Sequence, residues 1–401
     1  LPAEQRRLRA QPIYSAPLQF DVLQPMPSTD TPAAIRPAIA LAAGGTGGHL
    51  FPAEALAREL MARGFGVVIH TERRGAQYAQ ALAGIPHVVL PASSLEGGAV
   101  AKAKAALTIL RGLVASRRDL KRRRAALMVG FGGYPSFAPA LAAKSLGLPL
   151  LLHEQATRLS KANARLLRFA DALATSFPAV AGADGFDAAK IVETGNPVRR
   201  AILDARGDYP PFDAHGPLRL LVVGGSQSAA VFGRVVPPAL ALLPEALRHR
   251  LQLSLQYRGE DADALVAQLR GAGIDATVRP FFDDMGERLR EAHLVVTRAG
   301  ATTAADLLTI GRPAIFVPLP HGGAREEQRR NAQTLAQAGV GWHLDEAGLT
   351  PESLAGVLRE AFESPTRLPD AARAAAALGR PDAASRLADA VERLLARIRP
   401  G

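Results

Sequence analysis

The chain has 401 residues, 48% of them hydrophobic, enough for the cores of two domains, and it carries a formal net charge of +11. It contains no cysteine, which excludes disulfides and thiolate chemistry and fits a reducing compartment. No apolar run approaches the roughly 18 residues of a membrane span, and the first residues lack the charged-then-apolar layout of a secretory signal.

Residues 1–36 are rich in proline and show no sustained hydrophobic period, so they read as a disordered extension. Met26, at the head of MPSTDTP, is a candidate native start. Order begins near residue 37. Ile39 to Ala43 form a short apolar run of buried-strand type. A glycine turn follows: Gly44, Gly45, Gly47 and Gly48 surround Thr46, and His49 closes it. Leu56, Leu60 and Met61 then recur at helical spacing. Such a strand–turn–helix lets backbone N–H groups approach a phosphate or a sugar, and a helix N-terminus favours negative charge. It is not a dinucleotide fingerprint, because G-x-G-x-x-G counted from Gly45 puts Leu50 at the last glycine.

Strands and helices alternate from there to residue 200. VVIHT (67–71), HVVLPA (87–92), LMVGFGGYPS (127–136), LPLLLHEQ (148–155), DALATS (171–176) and KIVETG (190–195) read as strands or strand ends. Residues 100–124 read as a helix with Ala103, Leu107, Leu110 and Val114 on one face, ending in the basic cluster RRDLKRRR. After GNPVRR (195–200) the pattern restarts with LRLLVVGGSQSAA (218–230). Strands at 252–258, 276–282, 293–300 and 313–320 follow, and a helix over 384–398 places Leu387, Val391, Leu394, Leu395 and Ile398 on one face. Two glycine turns half a chain apart predict an α/β protein of two Rossmann-like, doubly wound units facing a cleft. The boundaries are 37–198, 199–375 and a terminal segment 376–401 packing back on the first unit. Ligands are expected at the carboxyl ends of the strands, where His49, Tyr134 and Glu154 lie.

Charge adds a second constraint. Residues 37–200 hold 21 Lys and Arg against 10 Asp and Glu, whereas residues 201–401 hold 23 against 24. A basic first half points to an anionic membrane surface, a nucleic acid or an anionic substrate. The cluster at 117–124, next to an apolar helix face, favours the membrane over a merely solvated surface.

Several residues carry candidate chemistry. TRAGATTAADLL (297–308) opens a helix with free N–H groups, two threonine hydroxyls and Asp306, an anion and ribose site or a well-capped helix. GGSQS (224–228) offers Ser226 to a phosphate, and Arg199 could reach the same charge across the cleft. His49 is a candidate general base, or else a hydrogen-bonded prop of its turn. His153, Glu154 and Gln155 are either polar site groups or a hydrogen-bonded strand end. Asp261-Ala262-Asp263 resembles a metal-binding pair but reads better as a helix cap near Glu260, so no metal is expected.

Taken in order and spacing, GGTGGHLFPA, GFGGYPS, HEQ, GNPVR, VVGGSQS, FFDDM, TRAGATT and VPLPH…QxxNA resemble the peptidoglycan glycosyltransferases that add N-acetylglucosamine (GlcNAc) to lipid I. The resemblance covers about residues 37–398. It implies a GT-B fold and inverting transfer of GlcNAc from UDP-GlcNAc to the C4 hydroxyl of undecaprenyl-diphospho-MurNAc-pentapeptide, giving lipid II. It implies a peripheral protein at the cytoplasmic face of the bacterial plasma membrane, with no cofactor. By motif, it places Thr46, Gly47 and Gly48 on the donor and His49 beside the acceptor. Arg199 and Ser226 meet the diphosphate, and Ala301, Thr302 and Thr303 line a helix N-terminus at the phosphates. Phe282, where the family often has Ile, binds uracil through its backbone, and Gln328 reaches the sugar hydroxyls. Gly132, Gly133 and Tyr134 face the acceptor. Three positions depart from the family pattern: Ala156 stands for Asn, Asp306 for the ribose-binding Glu, and Glu327 for His or Gln.

Two other classes, besides another UDP-sugar transferase, fit parts of the sequence. A dinucleotide-dependent oxidoreductase would use the first glycine turn with Glu72 on a ribose; the broken fingerprint and the second turn oppose it. A nucleic-acid binder would explain the charge, but 5% aromatic residues provide few stacking platforms.

Overall fold

The computed structural model describes residues 36–94, 98–224, 230–321 and 325–398. Residues 1–35 of the expected extension, and Ser226 with the rest of 225–229, lie outside the described residues.

The first sheet contains β1 (Arg36–Ala42), β2 (Phe65–Thr71), β3 (His87–Val89), β4 (Ala125–Gly130), β5 (Leu150–Glu154), β6 (Ala172–Thr175) and β7 (Ile191–Glu193). Its seven strands run in the order β3-β2-β1-β4-β5-β6-β7, all parallel. The second contains β8 (Leu218–Val223), β9 (Leu251–Gln256), β10 (Asp275–Arg279), β11 (Leu294–Thr297), β12 (Ala314–Phe316) and β13 (Gly341–His343). Its six strands, also parallel, run β10-β9-β8-β11-β12-β13. The winding direction reverses between β1 and β4 and again between β8 and β11. A crevice opens at the carboxyl ends there, in the first sheet beside the first glycine turn. The central strands are unbroken apolar runs because helices cover both faces: Ile39, Leu41, Leu127 and Val129 are fully buried.

Three local expectations change. β13 is an unforeseen strand; its three residues are too short to show a period, and it forms by pairing Trp342 with Ile315 of β12. The strand expected over 313–320 stops at Phe316, and the chain beyond it turns into the cleft. Asp261 does not cap the helix Ala262–Gly271; its Oδ1 accepts a hydrogen bond from the Tyr257 hydroxyl at 2.7 Å instead.

Two long-range features hold the units in place. The helix Ala383–Ile398 packs on the helix Gly47–Ala62, and Leu387, Val391 and Leu394 enter the core formed by Leu50, Leu56, Leu60 and Phe131. Arg63 clamps the pair, donating to Asp389 at 2.6 Å, to Ser385 O at 3.0 Å and to Glu59 at 2.9 Å. In the second unit the buried Arg312 guanidinium has five carbonyl partners: Asp208, Leu289, Arg290, Ile310 and Gly311. All but Asp208 lie at the C-termini of the helices Met285–Glu291 and Ala301–Ile310, where a cation is favoured. Arg312 thus anchors the far end of the helix whose N-terminus enters the cleft.

The terminal helix is therefore part of the first unit's core. Leu387→Ala should cost about 2–5 kcal/mol, the range for truncating a buried leucine, read as a lowered urea midpoint. An unchanged midpoint would mean that the helix is only laid on the surface.

Candidate active site

The first glycine turn is held by a buried carboxylate. Glu72, just past β2, accepts the backbone N–H groups of Gly45 at 2.8 Å and Gly75 at 2.9 Å on Oε1, and of Arg74 at 2.7 Å on Oε2. Gly45 has φ +82°, a conformation that a side chain would strain. Two expectations are corrected by this arrangement. The Gly45 N–H is not free for a ligand, because a buried carboxylate requires donors of its own. Glu72 is not free for a ribose, because both of its oxygens are engaged; the oxidoreductase reading loses its acidic residue.

The turn after β4 abuts the first. The Ser136 hydroxyl lies 2.7 Å from Ala42 O and 2.6 Å from Gly132 O, tying the two strand ends together. Gly132 and Gly133 both have positive φ, and a Cβ on Gly133 would lie 3.4 Å from His49 Cε1. His49 thus stands against Gly133 with Tyr134 adjoining. Its Nδ1 is 3.3 Å from Thr46 Oγ1. Burial pushes the imidazole down to about 4, so it is neutral at pH 7. If Nδ1–H donates to Thr46, Nε2 is the free acceptor.

His153, Glu154 and Gln155 form a hydrogen-bonded strand end. His153 Nε2–H donates to Gly195 O at 3.1 Å, and Gln155 Nε2 donates to Phe131 O at 2.9 Å. Glu154 accepts from Ser160 N at 2.8 Å and Asn163 Nδ2 at 2.9 Å, and burial pushes its carboxyl up. Ala156, at the family's Asn position, is buried beside it.

The second unit meets these turns directly. Thr302 Oγ1 donates to Gly48 O at 3.0 Å, joining the N-termini of the helices Ala301–Ile310 and Gly47–Ala62. Asn196 Nδ2 reaches Ala301 O at 3.4 Å, and Thr157 Oγ1 reaches Asn331 Oδ1 at 3.4 Å. Arg199 lies 3.5 Å from Asp306 Oδ2. Arg199 Nε, Asp306 Oδ1 and Asn196 Oδ1 are buried and have no partner among the described residues. Burial pushes the Asp306 carboxyl up to about 6 against the pull of Arg199. Glu327 is pushed up to about 7 by burial and by the Glu154 carboxylate across the cleft.

Gln328 and Phe282 are committed differently. Gln328 Oε1 accepts from Leu319 N at 3.1 Å, which leaves its amide N–H groups for a ligand. The Phe282 side chain is core, with the Arg288 guanidinium 4.2 Å above its ring, so only its backbone is on offer. Sequence reading missed the interdomain roles of Thr157, Asn196 and Asn331. Their one signal was placement: Asn196 and Asn331 lie within the GNPV and QxxNA motifs, and Thr157 follows HEQ closely.

The basic helix Ala99–Arg123 shows two faces. Leu107, Leu110 and Val114 are 50%, 55% and 38% exposed, with Arg111, Arg118 and Lys121 on or beside the same stripe. On the buried face Asp119 accepts from His70 Nε2–H at 2.9 Å, from Arg123 Nε at 2.9 Å and from Arg122 at 2.5 Å. Burial alone would raise this carboxyl; the His70 bond and Arg123 outweigh it and bring it down to about 2. Arg122 and Arg123, expected to meet lipid, are thus engaged with Asp119, because a buried carboxylate needs paired charge.

Replacing Glu72 tests the account of the first turn. Glu72→Gln puts an NH₂ group against at least one of the three amides, so it should cost about 1–3 kcal/mol in a denaturant titration. Hydrogen exchange at Gly45 and Gly75 should accelerate. Wild-type stability with unchanged exchange would remove Glu72 from this role.

Comparison with known proteins agrees with this geometry. Residues 39–175 match the Glycosyltransferase family 28 N-terminal domain, and residues 219–391 match the Glycosyltransferase family 28 C-terminal domain. A Rhodospirillum centenum protein named UDP-N-acetylglucosamine–N-acetylmuramyl-(pentapeptide) pyrophosphoryl-undecaprenol N-acetylglucosamine transferase is 48% identical over 356 residues, covering 88% of this chain and 93% of its own length. A protein of the same name from Paramagnetospirillum magneticum is 44% identical over 362 residues, covering 90% of this chain and 97% of its own. The crystal structure of Acinetobacter baumannii MurG matches with a TM-score of 0.72 at 30% identity, covering 89% of this chain and 99% of that one. The calicheamicin glycosyltransferase CalG4, at 17% identity and a TM-score of 0.65, shares the fold alone. With both halves of the cleft matched in order, the chain belongs to glycosyltransferase family 28, among the UDP-N-acetylglucosamine–N-acetylmuramyl-(pentapeptide) pyrophosphoryl-undecaprenol N-acetylglucosamine transferases.

Proposed function

We propose that the cleft moves GlcNAc from UDP-GlcNAc to the C4 hydroxyl of undecaprenyl-diphospho-MurNAc-pentapeptide, with inversion, to give lipid II. The observation that carries the residue assignment is the Arg199–Asp306 pair, a half-buried guanidinium against a buried carboxylate beside the meeting helix N-termini, with Arg199 Nε and Asp306 Oδ1 buried and without a partner among the described residues. Arg199 takes the donor diphosphate, together with Ser226 and the N-terminal turn at Ala301, Thr302 and Thr303. Asp306 takes the ribose, Phe282 takes uracil through its backbone, and Gln328 takes sugar hydroxyls. Thr46, Gly47 and Gly48 close over the donor. The acceptor enters along Gly132, Gly133 and Tyr134.

The chemistry is a single displacement. The acceptor hydroxyl oxygen forms a bond to the anomeric carbon on the face opposite UDP. The bond from that carbon to the β-phosphate oxygen breaks, and UDP leaves with the electron pair. The hydroxyl proton passes to His49 Nε2. A free-enzyme value near 4 makes His49 a weak base, and the two diphosphates brought in by the substrates raise it in the complex. The developing charge on UDP is met by Arg199 and by the helix N-terminus.

The test is transfer of labelled GlcNAc from UDP-GlcNAc to a short-chain lipid I analogue. The wild type should transfer, and His49→Ala should lower kcat by about 10²-fold or more while UDP affinity holds. No transfer by the wild type would sink the reaction. An undiminished kcat in the variant would return His49 to a supporting role in its turn.

The acceptor's polyprenyl chain requires a protein that works at a membrane surface. Among the described residues no helix is long and apolar enough to cross one. We assign attachment at the cytoplasmic face to the exposed stripe of the helix Ala99–Arg123, whose apolar residues enter the headgroup region while Arg111, Arg118, Lys121 and Arg124 meet anionic lipid. Each such cation contributes up to about 1 kcal/mol near the surface. Arg118→Gln with Lys121→Gln, which spares the Asp119 network, should release protein from anionic vesicles. It should leave transfer to a water-soluble acceptor intact, and wild-type binding should weaken with salt. Equal binding of the wild type to neutral and anionic vesicles would overturn the electrostatic part.

A further inference from the structure

Phe51, a residue that no motif assigns a task, supports the Arg199 guanidinium. It lies in the first turns of the helix Gly47–Ala62, in the first unit, and the Arg199 Cζ sits 4.4 Å from its ring centroid. Three neighbours confine the ring. Tyr78 meets it edge-on at 5.6 Å and 82°. A Cβ on Gly47 would come within 2.7 Å of it, so the ring occupies the space that a side chain at residue 47 would need. Arg199 covers the face.

The other side of Arg199 is loose. Its contact with Asp306, at 3.5 Å, is longer than the 2.7–2.9 Å of a charge-assisted hydrogen bond. Its Nε is buried with no partner among the described residues, and so is Asp306 Oδ1. The guanidinium therefore has a firm π-face support in the first unit and an unsatisfied hydrogen-bonding edge toward the second. Arg199 follows the GNPV linker between the units, where nothing in its own backbone fixes a long side chain. Without the ring, it would have to be ordered at the moment of binding, at an entropic cost.

We propose that Phe51 is a positioning residue for donor binding: its ring face holds Arg199 so that the guanidinium edge meets the donor diphosphate when the contact with Asp306 opens. The inference rests on the reading of Arg199 as a diphosphate partner. It also accounts for the empty Cβ position at Gly47, which leaves the ring in place over the cleft.

The test is a double-mutant cycle read by UDP calorimetry and by donor and acceptor KM. Phe51→Leu keeps apolar bulk and loses the π face, and it should raise the UDP Kd and the donor KM by about fivefold, the scale of a partly desolvated cation–π contact. The acceptor KM should not move, and Phe51→Tyr should behave as wild type. In an Arg199→Gln background the leucine should add no further loss. Should Phe51→Leu melt early, Phe51→Met, flexible and similar in volume, provides the same comparison. Equal losses in both backgrounds, or unchanged UDP affinity in Phe51→Leu, would overturn the proposal. Unchanged UDP affinity in Arg199→Gln would remove both the proposal and the diphosphate role of Arg199. Failure of the wild type to transfer GlcNAc is a separate readout that bears on the reaction, not on this coupling.

Discussion

Two helix N-termini meet across the cleft, joined by the Thr302 hydroxyl on the Gly48 carbonyl. Each helix places roughly half a positive charge at that end. Neither has an acidic residue in its first turn to offset it. Asp306 lies further along its helix and is already opposed by Arg199, and the Glu72 carboxylate beside the first turn is taken up by backbone amides. Positive potential from two directions thus converges on one place, and an anionic ligand is what completes it. In the proposed reaction the diphosphate of the sugar nucleotide is that anion, met by backbone N–H groups and one arginine.

Four other buried charges behave differently. Glu72 is filled by three backbone amides, Glu154 by two backbone amides and an asparagine, and Asp119 by a histidine and two arginines. Arg312 is filled by carbonyls at two helix C-termini. Each is satisfied because an unsatisfied buried charge costs several kcal/mol. Arg199 and Asp306 are exceptions within the cleft, each with a buried atom left open. The same contrast separates scaffold from site in the HEQ segment. Its residues lie at a strand end facing the cleft, yet their polar atoms are used to bind the linker and the neighbouring turn.

The terminal helix and the basic helix show how one element can serve two ends. Leu387 and Val391 close the core of the first unit although they follow the whole second unit in the chain, so the two units are tied by packing as well as by the linker. The helix Ala99–Arg123 is seated by Asp119, Ser116 and Gly112, the last against the Pro91 carbonyl, and its outer stripe is left apolar and basic. Seating and surface use alternate faces of the same helix, as its periodicity allows.

Much of this was legible in the sequence. Apolar runs, glycine turns and helical spacing act over a few residues, and they identified the alternation of strand and helix, the first glycine turn at its switch point and the amphipathic last helix. The short β13 was not legible, since three residues carry no period and its formation depends on β12. For the site, motif spacing located His49 and Tyr134 just past strand ends, Arg199 at the start of a short helix and Asp306 inside the helix Ala301–Ile310. It did not show that Glu72 occupies the Gly45 amide, that Arg122 and Arg123 belong to Asp119, or that Phe51 lies under Arg199. Tertiary packing decided those pairings. The partners of a buried charge come from whichever elements the fold brings within hydrogen-bond reach. That choice involves residues as far apart as Phe51 and Arg199, for which no local pattern exists.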